Sequence, residues 1–394
     1  MTGGQAGLLG LSGEVTTEQL ELLLEGCDPI TGSRLGYALV DRVTTSGKVV
    51  HAVAGFDATL SAPKSLSVWW ALSGDEGLAE CHDVAAAAVV DWVERYGSTT
   101  RIRCDGRRLH PDSHGLTVAV FRQTTSRLDD PQLHSHVVIS AKVQTDDERW
   151  LALDARTLKN FQCALGGLYQ SVLRAELTSR YGVLFGEIDH GRAEIAGIPA
   201  ELLERFSKRT AQVGRAFQAK LAEFHSREGR DPTPKERGAL GREAAEDTRG
   251  HKTGHGVIDL RSRWLAEAAA VGVTPEWLRD SIEHAALARP REVQQVVIED
   301  VIDAVGQRRS AWHRLDVLQA ICDVTRPQPG VNGTLWATVL DRAVDVVLEH
   351  CVDLDPSETH TQRRGSDGRS VWIEPSARHH TSDAVLAQEE HILS

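Results

Sequence analysis

No two cysteines in this 394-residue chain are spaced as CxxC; the six lie scattered at positions 27, 81, 104, 163, 322 and 351. That spacing excludes a zinc ribbon, argues against a disulfide framework, and suits reduced thiols in a cytosol. The opening MTGGQAGLLGLSGE lacks the basic start and long apolar block of a signal peptide. No apolar run is long enough to span a bilayer, so a cytoplasmic protein without a membrane span is expected. A GxxxxGK[ST] phosphate loop is also missing, because "RGHKTGH" at 249–255 has the wrong spacing, so no helicase motor is expected here. There are no internal repeats. Nor is there a basic excess: the formal net charge is −12, which for the chain as a whole argues against nucleic-acid binding.

What is present is ordinary in bulk and uneven in detail. Hydrophobic content of 41% and charged content of 25% fit a soluble globular protein, and the length allows two or three folded units. Residues 95–127 depart from the acidic average. They hold seven arginines (95, 101, 103, 107, 108, 122 and 127) against Asp105 and Asp112, an excess of five positive charges. A solvated surface is the plain alternative to a phosphate-binding one.

Patterning predicts a capped helix over 16–26, with Thr16 and Gln19 at capping-box spacing and Gly26 as its stop. A hairpin of "LGYALVDRV" and "KVVHAVAGF" follows. Next come a strand through "GFDATLS", a helix opening near Lys64, capped by Ser61, and a second helix over 77–96. Short strands are expected near 101–104, 107–110, 117–123, 132–142 and 149–153, then a helix over 155–181 and a "YGVLF" strand. Hairpin-joined strands with interleaved helices indicate an α+β fold on a mostly antiparallel sheet. The expected units are 1–190, a helical and charged extension over 191–290, and a helical region with linker over 291–394.

Within the strand "QLHSHVVI", side chains alternate faces, so His134 and His136 point the same way, roughly 6.6 Å apart along the strand. Two neutral imidazoles at that spacing can reach one metal ion. If the preceding run "LTVAVFRQ" pairs with it, Gln123 can face them and add an amide oxygen. Two polar residues on a wet strand face are the simpler alternative. Asp57, a carboxylate among apolar neighbours, could orient a ligating imidazole or accept a proton. Lys64 near a helix N-terminus would suit a phosphate, although alone it reads as a solvated lysine.

In order and spacing, "LGLSGEV", "GFDATLSAPKSLSV", "FRQTTSRLDDPQLHSHVVI", "YQSVLRAEL", "RFSKRTAQV" and "TSDAVLAQEE" resemble the TrwC/TraI-type (MobF) conjugative relaxases. The resemblance implies a palm-like antiparallel sheet flanked by helices, of the HUH-endonuclease kind. It also implies binding of single-stranded and origin-of-transfer DNA, and nicking of one strand by a tyrosine that attacks the scissile phosphate. In that family three histidines hold a divalent metal (Mg, Mn or Zn are the candidates here). His134 and His136 match two of them, Asp57 matches the base and orienting carboxylate, and the remaining ligand falls on Gln123. Lys64, Arg103 and Arg127 are the expected phosphate contacts. A separately encoded helicase part and a conjugative secretion apparatus are the implied partners.

Two departures qualify the likeness. Gln123 replaces a histidine, and an amide oxygen is the weaker and harder ligand. The family's catalytic tyrosines precede "LGLSGEV", whereas the tyrosines here are 37, 96, 169 and 181. The expectation is therefore a relaxase body lacking the tyrosine segment and the helicase, with impaired nicking. Two other readings stay open: a non-catalytic DNA-binding remnant, and an unrelated HxH metal-dependent hydrolase.

Overall fold

The computed structural model describes residues 1–250, 257–288, 297–327, 330–355, 362–375 and 378–393. The chain opens with α1 (Gly4–Leu8) and α2 (Thr17–Leu24), then the two-residue strands β1 (Arg42–Val43) and β2 (Val49–Val50). Strand β3 (Gly55–Ser61), helices α3 (Lys64–Ser73) and α4 (Glu76–Gly97), and the small hairpin β4 (Ile102–Cys104) and β5 (Arg107–Leu109) follow. Then come β6 (Val118–Thr125), β7 (Pro131–Ser140), a second small hairpin of β8 (Lys142–Gln144) and β9 (Trp150–Ala152), and the long α5 (Ala155–Tyr181). The rest is mainly helical: α6 (Ala200–Arg205), α7 (Lys208–Glu228), α8 (Pro234–Asp247), α9 (Val257–Ala269) and α10 (Pro275–Ala288). After these run α11 (Ile298–Gly306), α12 (Arg314–Val324), α13 (Gly333–Glu349), the strand pair β10 (Val352–Asp353) and β11 (His380–Thr381), and α14 (Asp383–Leu393).

The fold is α+β, as expected. Its organising sheet is antiparallel in the order β3-β7-β6, with β7 in the middle. Strand β7 alternates without a break: Leu133, Ser135, Val137 and Ile139 are buried, while Gln132, His134, His136 and Val138 are half-buried on the other face. Helices α3 and α4 pack on the buried face, and α5 packs against α4. One hydrophobic core runs from Leu60 through these helices to Val347, and a small second cluster gathers Ala6, Leu9, Leu11, Leu23 and Leu35. The capping box of α2 forms as predicted, with Gln19 N–H donating to Thr16 Oγ1 at 3.2 Å and Gly26 at φ 76° beyond the helix end.

Three expectations need correction. The first hairpin shrinks to β1 and β2, because Tyr37, Val40, Val43, Val49 and Val53 are exposed and no layer covers their apolar side chains. Strands need a face to bury, and alternation alone does not supply one. "YGVLF" keeps only an isolated bridge between Phe185 and Ile195. Ser61 does not cap α3; it lies within β3, and Pro63 occupies the cap position. The described helices after 291 pack against the preceding ones. Trp336 donates to Ser171 Oγ at 2.9 Å, Gly333 N–H to Glu176 at 2.7 Å, and Tyr96 bonds Asp341 at 2.9 Å, so α12 and α13 share the core of α4 and α5. The boundary placed at 290/291 lies outside the described residues, as does most of "RGHKTGH".

Among the described residues, no helix is long and apolar enough to cross a membrane. All six cysteines are free thiols. Leu133 is wholly buried beneath the sheet's centre. Leu133→Ala should cost about 2–5 kcal/mol, read as a lowered urea midpoint with unchanged slope.

Candidate metal centre

The register of the sheet decides which side chains meet. Gln123 of β6 stands directly opposite His134, and Phe121 opposite His136. On the other side Ser61 faces His134, Thr59 faces His136, and Asp57 lies one pair further along. Opposed residues share a face, so Gln123, His134, His136 and Asp57 all project from the side away from the core. The two imidazole centroids are 5.4 Å apart with their planes at 67°.

Each ring is held through Nδ1. His136 Nδ1–H donates to Asp57, at 2.9 Å from Oδ2 and 3.0 Å from Oδ1. His134 Nδ1–H donates to the Gln132 carbonyl at 2.9 Å. Such partners select one tautomer and make Nε2 the nitrogen that a metal would take. The arrangement on Asp57 is a carboxylate–histidine pair that aims the ring. The candidate donors on this face are two imidazole nitrogens and one amide oxygen. Among the described residues no group of three or more His, Cys, Asp or Glu side chains converges for a metal.

The opposite face of β7 is held by Lys64, singled out in the sequence for another role, and by Ser67, His82 and Tyr169, which the sequence reading did not single out. Lys64 Nζ donates to the Pro131 carbonyl at 2.9 Å. Ser67 Oγ accepts from Leu133 N–H at 3.0 Å. Ser135 Oγ lies 2.7 Å from His82 Nε2, and His82 Nδ1 lies 2.6 Å from the Tyr169 hydroxyl. These contacts fall on residues 131, 133 and 135, directly behind the two site histidines. The only available signal was the presence of polar residues in the apolar windows "SAPKSLSVWW" and "CHDVAAAAVV".

Lys64 therefore stands differently from the expectation. Burial lowers its pKa, Asp130 and Glu194 partly offset this, and one of its three N–H donors goes to the Pro131 carbonyl. The α3 N-terminus where a phosphate was to sit already receives Glu194, whose Oε2 accepts from Ser65 N–H at 2.7 Å. A carboxylate fills that place for the same electrostatic reason that a phosphate would. Arg127, in the β6–β7 turn, donates to the Gly250 carbonyl at 3.1 Å. Arg103 is exposed on the separate β4–β5 hairpin, paired in register with Arg108. Neither arginine lies on the three-stranded sheet.

The turn before β7 is anchored from the helical extension. Asp130 accepts from Lys208 N–H at 2.8 Å, and the Asp129 carbonyl accepts from Trp264 Nε1 at 2.7 Å. A family model described as TrwC relaxase matches residues 1–271.

The chain belongs to the TrwC relaxase family.

Relatives of the same kind extend the match. The multifunctional conjugation protein TraI of Escherichia coli is 31% identical over 348 residues, 82% of this chain and 18% of that protein. Its counterpart from strain K12 is 29% identical over 342 residues. The chain thus spans about a fifth of the length of these relatives. The solved TrwC relaxase in complex with oriT DNA, metal-free, superposes with a TM-score of 0.59 at 29% identity, covering 70% of this chain and 89% of that one. A metal-bound TrwC–oriT complex superposes at 0.57 with 30% identity, covering 70% and 89%.

His82 supplies a pH test of this arrangement. Burial, followed by the nearby charges of Arg122 and His134, pushes its pKa down to about 4. An unfolded histidine titrates near 6.5, so the folded state binds fewer protons between those values. The stability that the neutral ring contributes is complete above about pH 6.5 and is lost as pH falls toward 4, about 3 kcal/mol in all. Chemical denaturation at pH 7 and pH 4.5 should show this loss in the wild type. In His82→Gln, which cannot titrate there, the loss should be smaller.

Proposed function

We propose that this chain is the DNA- and cation-holding body of a conjugative relaxase, acting on the origin of transfer of a plasmid. One observation carries the proposal: Gln123, His134 and His136 share one face of a braced antiparallel sheet, with Asp57 holding His136. TrwC relatives have been solved on oriT DNA in metal-free and metal-bound forms. The same two ligand classes are proposed here.

The residues fit a divalent ion. Nε2 of His134, Nε2 of His136 and Oε1 of Gln123 would hold it, a mixed nitrogen and oxygen set that admits Mg or Mn more readily than a trio of imidazoles would. When bound, the ion supplies Lewis-acid polarisation of the scissile phosphate. The chain's own residues fix the ring tautomers and orient His136 through Asp57.

No tyrosine among the described residues is set up as the nucleophile. Tyr169 is fully buried against His82, Tyr96 bonds Asp341 and Tyr181 bonds Asp75 at 2.8 Å; burial raises the pKa of all three. Tyr37 is exposed on the segment before β1, outside the organising sheet. Strand transfer by these residues is accordingly impaired. Incubation with supercoiled plasmid carrying the cognate origin, plus Mn²⁺, should give no covalent protein–DNA adduct; an adduct would overturn this part of the proposal. A helicase part, a secretion apparatus and a cytoplasmic setting complete the biological reading.

Calorimetric titration with Mn²⁺ should show micromolar binding that vanishes in His134→Ala and tightens in Gln123→His. Silence in the wild type would instead favour a DNA-binding remnant. For DNA, Arg127→Ala should weaken binding about equally across oligonucleotide sequences and flatten the salt dependence by about one unit of slope. Lys64→Ala should leave that slope unchanged and lower thermal stability.

A further inference from the structure

We infer that His82 is a positioning residue for the metal ligands, acting through Ser135; this rests on the metal-site reading above. Ser135 lies between the two site histidines in sequence and points to the opposite face of β7. Its hydroxyl is 2.7 Å from His82 Nε2, and the other ring nitrogen is 2.6 Å from the Tyr169 hydroxyl. Ser135 and His82 are 0% exposed and Tyr169 is 1% exposed, so this three-member chain is dry and links β7, α4 and α5.

A buried position on α4, among buried neighbours in sequence such as Leu78, Ala79, Ala85 and Ala86, has no need of an imidazole for hydrophobic burial. Leaving the ring unpartnered there would cost the desolvation of both nitrogens. Fully satisfied, it specifies a geometry that an aliphatic side chain would leave loose. The geometry specified is the pleat at residue 135. Tilting that peptide unit would swing the Cα–Cβ directions of both His134 and His136, and a one-residue slip of β7 would bury them. A ligand pair must hold within about 0.5 Å and 10–20° of its productive arrangement, so control of one residue controls both ligands. Lys64 and Ser67 reach only backbone atoms at 131 and 133, upstream of the pair. His82 reaches the residue between the two ligands.

The test separates the two ring nitrogens. In His82→Gln the amide nitrogen reaches the place of Nε2 and keeps Ser135 bound; in His82→Asn it reaches only the place of Nδ1. Ser135→Ala removes the hydroxyl with little change of volume and serves where an α4 variant does not fold. Two readouts are taken: Mn²⁺ affinity, and the ring ¹⁵N–¹H NMR signals of His134 and His136 without metal. His82→Asn and Ser135→Ala should weaken Mn²⁺ binding about tenfold or more, the range expected for partners behind a ligand, while His82→Gln stays close to wild type. The ring signals should form one set in the wild type and His82→Gln, and split or broaden in the other two. Unchanged affinity and ring signals in Ser135→Ala would overturn the inference, as would equal losses in Gln and Asn that follow melting temperature. If the wild type binds no Mn²⁺, the metal reading fails by itself, and the ring spectra decide the positioning role.

Discussion

Hydrogen bonds on the inner face of β7 are the constraint on which the rest of the structure depends. Lys64, Ser67 and His82 take up polar groups at residues 131, 133 and 135, while Leu133, Val137 and Ile139 bury hydrocarbon between them. Because a strand's two faces alternate, fixing the odd positions inward fixes the even positions outward. His134 and His136 are therefore presented together as a consequence of how the core is bonded. Flanking strands β3 and β6 then bring Asp57 and Gln123 to the same face by register alone.

The blocks that mark the family are explained by the same contacts. In "SAPKSLSV", Ser65 receives Ile195 N–H, Ser67 receives Leu133 N–H and Lys64 holds Pro131. In "LDDPQLHSHVVI", Asp130 takes Lys208 from "RFSKRTAQV", joining two distant blocks. In "YQSVLRAEL", Tyr169 meets His82, Gln170 donates to the Ser61 carbonyl, Ser171 accepts from Trp336, and Arg174 donates to carbonyls of Gly191 and Cys322. Each is a polar group taken out of water, and deleting its partner leaves an unsatisfied atom costing about 1–3 kcal/mol. Apolar core positions tolerate exchange among similar volumes, whereas a buried polar pair tolerates less.

Much of the site was legible in the sequence, since β7 and β6 carry clear period-two patterns, a short Asp- and Pro-containing turn joins them, and their pairing places Gln123 across from His134. The helices were legible from their caps, as at Thr16 and Gly26. Lys64 was misread because a lysine beside a helix N-terminus has the same local signature whether its partner is a phosphate or a backbone carbonyl 67 residues away. Ser61 was misread as a cap because strand pairing with His134 outweighed its local preference. The first hairpin failed for want of a covering layer. The docking of α12 and α13 onto α5 was not legible because the helical spacing of Trp336, Leu340, Val344 and Val347 shows that a face is covered, not which element covers it.

The charge distribution agrees with a surface organised around this sheet rather than with a generally basic protein. Arg122 on β6 is neutralised by Asp83 at 2.6 Å and by Glu76 at 3.3 Å, so it braces α4 and is not offered to a phosphate. The central claim is that two imidazoles and one amide on a single sheet face surround a common cation. Anomalous diffraction from crystals grown with Mn²⁺ tests it most directly. The account predicts one strong peak at bonding distance from Nε2 of both His134 and His136, with Gln123 Oε1 turned toward it and Asp57 behind His136. A peak elsewhere, or rings that diverge with no peak between them, would contradict it.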